Sequence, residues 1–97
     1  MTLFMITVIP RQHKRLELIQ TLDMLLGSLK KMSPEISFFD TPRYISLRLH
    51  FVDENKMNQF LESNEFAVLE GAVRTLGTQS IMTADGAEIK NTLNKLK

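Results

Sequence analysis

The sequence predicts one α+β domain in the order β-α-β-β-α-β, built on an antiparallel four-stranded sheet. Three observations carry this reading. Thr2 to Ile9 is a strand candidate that is apolar on both sides, Arg11 to Met32 repeats its apolar residues at helical spacing, and Tyr44 to Phe51 alternates with a period of two. In the first strand Leu3, Met5 and Ile9 point one way, and Phe4, Ile6 and Val8 the other. Helices can cover one face of such a sheet. A chain of 97 residues has few elements left for the second face, so another copy of itself is the expected cover.

The elements follow in order. Pro10 ends the first strand. On the helix from Arg11 to Met32, the stripe Leu18, Ile19, Leu22, Leu25, Leu26, Leu29 and Met32 faces inward, and Lys30 and Lys31 in the last turn suit the helix dipole. Ser33-Pro34 stops it. Ile36 to Phe39 is a short strand, and Asp40 to Arg43 a tight turn. In the next strand Ile45, Leu47, Leu49 and Phe51 form one face, and Tyr44, Ser46, Arg48 and His50 the other. Asp53 caps a short helix with Met57, Phe60 and Leu61 inward; Ser63 caps a second, Asn64 to Leu76. Gly77 stands where a C-terminal glycine cap is expected. Thr78 to Thr83 is the last strand and Asp85-Gly86 a turn. Residues 84–97 form a C-terminal tail, with a short helix expected on Ile89, Leu93 and Leu96. Gly27 and Gly71 fall inside helices and are read as marks of close packing. The order is the ferredoxin-like one.

Composition excludes several classes. Hydrophobic residues at 43% and charged residues at 24% are ordinary for a globular protein, and a formal net charge of +1 makes no case for nucleic acid. The chain has no cysteine, which removes disulfides, thiolate nucleophiles and Cys-ligated metals. His13 and His50 are far apart and make no metal-ligand pattern. No apolar run approaches the roughly 20 residues that span a bilayer. Met1 to Ile9 lacks a preceding basic region and a small-residue cleavage site, so it reads as a strand and not a leader, and a cytoplasmic location is expected.

The stretch Phe51-Val-Asp-Glu-Asn-Lys-Met-Asn-Gln-Phe-Leu-Glu-Ser-Asn-Glu-Phe66, followed by Leu69-Glu-Gly-Ala72 and Leu76-Gly77, resembles the antibiotic biosynthesis monooxygenase family. The pattern is an aromatic strand end, an acidic cap, a short helix, a Ser-x-x-Phe step and a second helix. The resemblance implies a dimeric α/β barrel, oxygenase activity on a small molecule, and a pocket between sheet and helices. Many members carry Trp where this chain has Phe51 and His where it has Phe60. The Asn, Trp and His of the haem-degrading branch are all absent, so haem chemistry is not expected. The resemblance leaves cofactor-independent oxidation of a quinol or polyphenol-like molecule, with a non-catalytic binding, regulatory or dimerisation module as the alternative.

Candidate residues divide between the two sheet faces. Phe51, Met57, Phe60 and Phe66, with Leu47 and Leu49, are placed to line a pocket for a small aromatic ligand; the same residues equally make a core. On the other face His50 as base, with Arg48 and Tyr44 beside it, has the residue types to ionise a phenol. That row is expected instead to hydrogen-bond across a homodimer interface, because the other face should pack on the helices.

Overall fold

The computed structural model describes residues 1–32 and 35–89. The elements are β1 (Thr2–Pro10), α1 (Arg15–Met32), β2 (Ile36–Asp40), β3 (Ile45–Phe51), α2 (Glu54–Leu61), α3 (Asn64–Leu76), β4 (Gly77–Ala84) and β5 (Ala87–Glu88). The strands form one antiparallel sheet in the order β2-β3-β1-β4-β5. The first four reproduce the ferredoxin-like arrangement, and β5 adds a short hairpin strand at the edge.

The register sorts the strand residues onto two faces. Ile6 pairs with Leu47 on one side and Met82 on the other, so these three share a face. Phe4, Val8, Ile45, Leu49 and Phe51 join them, each at most 2% exposed. Leu18, Leu22 and Leu29 of α1, Met57 and Phe60 of α2, and Phe66, Leu69 and Val73 of α3 complete this core. The helices therefore cover one face only.

The second face carries Leu3, Met5, Thr7 and Ile9 of β1, Phe39 of β2, Ser46, Arg48 and His50 of β3, and Gln79, Ile81 and Thr83 of β4. Ile9, Phe39 and Ile81 are exposed on it. The double apolarity of β1 thus corresponds to one face under helices and one face open in the single chain.

Local signals explain the boundaries. Asp53 accepts from the Lys56 amide at 2.9 Å, and Ser63 from the Phe66 amide at 3.2 Å, so both caps stand where the sequence places them. Helix α1 begins at Arg15, not Arg11. Residues Arg11 to Lys14 form a turn in which exposed His13 takes the left-handed conformation, φ 67°. Arg11 is drawn out of the helix because its amide donates to the Leu76 carbonyl at 2.7 Å and its Nε to the Thr75 carbonyl at 3.0 Å. Those carbonyls end α3 and need partners. Arg15 then ties α1 to the β2–β3 turn through Asp40 and the Thr41 carbonyl.

Three expectations about glycines and the chain end change. Gly77 is extended (φ −110°, ψ 156°) and opens β4 instead of forming a left-handed cap. It is required for closeness: a Cβ there would lie 2.4 Å from Val8 Cγ2 and 2.8 Å from the Val73 carbonyl. Gly27 and Gly71, by contrast, have open space around them and do not mark close packing. Ala84 belongs to β4 and Ala87–Glu88 to a strand, and the remainder of the expected tail helix, residues 90–97, lies outside the described residues. Among the described residues no helix is long and apolar enough to cross a membrane.

Candidate functional site

Of the residues expected to line a pocket, three phenylalanines meet in the interior. Phe60 is at the centre: its ring centroid lies 5.4 Å from Phe51, 5.3 Å from Phe66 and 5.8 Å from Phe4. Phe4 and Phe66 also meet edge to face at 6.0 Å. Leu47 and Leu49 pack in the same core, and all of these residues are at most 3% exposed. They form a buried aromatic cluster. Phe4 belongs to it as fully as the others. Only the β1–β3 register, which pairs Phe4 with Leu49, brings it there.

Met57 is the exception among the expected residues, since it also lines an open groove of about 350 Å³ at one end of the sheet. One wall is α2. With Asp53 as its cap, this helix presents Glu54, Met57, Asn58 and Leu61 at i, i+3, i+4 and i+7, which is a single helical face. The opposite wall is Thr2, Ala84, Asp85 and Ile89. Asp85 and Gly86 form the two-residue hairpin between β4 and β5, both with positive φ (52° and 86°), as the favoured mirror-image turn requires. The turn is fastened to β1 twice: the Leu3 amide donates to Asp85 Oδ1, and the Asp85 amide to the Leu3 carbonyl, each at 2.8 Å. The Ile89 amide closes the hairpin on the Met82 carbonyl at 3.0 Å. The volume falls in the usual range for small-molecule sites. Its less exposed lining is largely apolar, with Thr2 beside Met57, Leu61, Ala84 and Ile89, and its exposed rim carries two carboxylates and an amide.

The row Tyr44, Arg48 and His50 lies elsewhere. His50 pairs with Leu3 on the open sheet face. Its amide donates to the Glu35 carbonyl at 3.2 Å, and its Nδ1 lies 3.4 Å from the same oxygen. Arg48 stacks its guanidinium 4.6 Å above the Phe39 ring. Tyr44 precedes β3 and is exposed; its backbone is held by Thr41, whose hydroxyl accepts from the Tyr44 amide at 3.1 Å. Ser46, between Tyr44 and Arg48, is buried, with its Oγ 3.4 Å from Thr7 Oγ1. The structure brings Arg48 and His50 to one face and separates them from the groove by the thickness of the sheet. Among the described residues no group of three or more His, Asp or Glu side chains is placed to hold a metal.

With this geometry in view, the fold matches a set of solved structures. A protein from Mycobacterium tuberculosis superposes with a TM-score of 0.78 at 13% identity, covering 92% of this chain and 96% of its own. A candidate antibiotic biosynthesis monooxygenase from Deinococcus radiodurans gives 0.78 at 16% identity, with 93% and 95% covered. Another structure, named as an antibiotic biosynthesis monooxygenase, gives 0.76 at 9% identity, with 90% and 98% covered. The chain therefore has an antibiotic biosynthesis monooxygenase-like fold over nearly its whole length. No family model matches the sequence, and no curated protein matches it either.

Proposed function

We propose that the protein is a homodimer that oxygenates a small quinol- or polyphenol-like molecule without a cofactor, and that the groove between α2 and the β4–β5 hairpin holds this molecule. The groove is the observation that carries the reading. Met57, Leu61, Ala84 and Ile89 offer apolar contact to a ring, while Glu54, Asn58 and Asp85 offer acceptors to ring hydroxyls. The fold, shared with structures named as monooxygenases, supports the activity class.

Such a reaction asks little of a protein. At a ring methylene flanked by phenols, loss of a proton leaves an electron pair that passes to dioxygen and forms a C–O bond. The hydroperoxide then loses water to leave a ketone. One oxygen atom enters the product and the other departs as water with the two methylene hydrogens, so the substrate supplies every electron. The chain's part is to orient the ring and limit water around it.

The homodimer reading rests on the open sheet face. Exposed Ile9, Phe39 and Ile81, with half-buried Leu3 and Met5, form the kind of patch that monomers avoid. The partner always at hand is the same face of a second copy, related by a two-fold axis. The expected arrangement is two sheets face to face in a barrel, with Arg48 and His50 inside the interface.

Binding without turnover is the second reading. It is favoured by Phe51 and Phe60, apolar rings buried in the core, and by the position of His50 across the sheet from the groove. Oxygen uptake with a panel of anthrone- and quinol-type compounds, run beside calorimetric binding, decides between them. Uptake matched by entry of one oxygen atom from dioxygen into the product, with no hydrogen peroxide released, supports oxygenation. Binding with no uptake leaves the second reading, and absence of both overturns the groove assignment.

A further inference from the structure

We infer that the groove selects ligands that carry a small organic cation, such as a protonated amine, beside an apolar ring. This rests on the reading that the groove is the ligand site, and it narrows the class of molecule. Both charged residues that line the groove are acids, one from each wall: Glu54 on α2 and Asp85 on the hairpin turn. Among the described lining residues there is no Lys, Arg or His.

Two features make this charge usable. Asp85 is fixed, since its backbone sits in the hairpin turn and its Oδ1 accepts from the Leu3 amide; Oδ2 has no partner among the described residues and is left for a ligand. Glu54, at the first position of α2, shares one helical face with Met57 and Leu61, so its carboxylate stands at the rim above their apolar side chains. The N-terminal end of α2 contributes a partial positive charge, but Asp53 already caps it and offsets part of that field. An apolar base with two carboxylates at the rim fits a molecule with a ring at one end and a cation at the other. The same arrangement opposes an anionic side chain by like-charge repulsion.

A matched set of four probes tests this on the full chain by calorimetry at low ionic strength. Dopamine, 4-ethylcatechol and 3,4-dihydroxyphenylacetate share one ring and differ in carrying a cation, no charge or an anion; phenethylamine keeps the cation and drops the hydroxyls. Dopamine is expected to bind about fivefold or more tightly than 4-ethylcatechol, and dihydroxyphenylacetate more weakly than either. The preference should fade with added salt. Glu54→Gln and Asp85→Asn should each reduce the ratio of dopamine to 4-ethylcatechol affinity to about twofold, whatever change they make to 4-ethylcatechol itself; asparagine suits the same turn. Equal binding of the cationic and anionic probes, or full preference in both variants, overturns the inference. Catechol binding without charge preference removes this inference and keeps the phenolic reading. Phenethylamine binding without catechol binding keeps this inference and removes the phenolic reading, and no binding by any probe removes both.

Discussion

The two faces of the sheet are built from the same strands but obey different rules. The covered face is a continuous packing of Phe4, Ile6, Val8, Leu47, Leu49 and Met82 against three helices, with almost no exposed surface. The open face alternates apolar residues with Thr7, Ser46, Arg48 and Thr83, and leaves Ile81 and Phe39 about half exposed. One face fixes the monomer; the other is the face proposed to meet a second copy. The groove lies at the margin of the covered face, where α2 meets Thr2, Ala84 and the β4–β5 hairpin.

Truncating an aromatic ring on each face gives the widest separation. Phe60→Ala removes the centre of the aromatic cluster and should cost about 3–5 kcal/mol by urea unfolding. Phe39→Ala, which loses an exposed ring and its contact with Arg48, should cost under about 1 kcal/mol at concentrations where the chain is monomeric. Similar costs at the two positions would break the comparison.

Glycines sharpen the same contrast at a smaller scale. Gly77→Ala drives a methyl group into Val8 and the Val73 carbonyl, so thermal and chemical unfolding should show a loss of about 1–3 kcal/mol. Gly71→Ala meets open space in the middle of α3 and should gain about 0.5–1 kcal/mol. On the open face the readout is association and not stability. Ile81→Glu should leave the monomer's circular dichroism unchanged and weaken association by about tenfold or more, read by sedimentation across a concentration series. Unchanged association would remove the open face as the dimer contact.

These contrasts show what a linear reading captures. Asp53, Ser63 and the leucine stripe of α1 are local signals, and each stands where spacing alone puts it. The start of α1 was not legible, because what unwinds Arg11 is a pair of carbonyls at Thr75 and Leu76, more than 60 residues away. Phe51, Phe60 and Phe66 were recognisable as a group from one stretch of sequence, whereas Phe4 joins them only through strand register. The groove was hidden for the same reason. Its walls come from Thr2, α2 and the Asp85 turn, and only β1 running antiparallel to β4 brings them together. The two-residue β5 is too short to leave a periodic pattern, although the Asp85-Gly86 pair marked its turn.

The central place of β1 has a consequence during synthesis. It leaves the ribosome before the other strands of this sheet, and its neighbours β3 and β4 begin only at residues 45 and 77. Until β4 emerges, one edge of an apolar, β-branched segment stays without its hydrogen-bonding partner. Such a segment invites pairing with other nascent chains. The late contacts also separate folding from elongation: helices α1 to α3 have local contacts, but the β1–β4 pairing waits until residues 77–84 have been made.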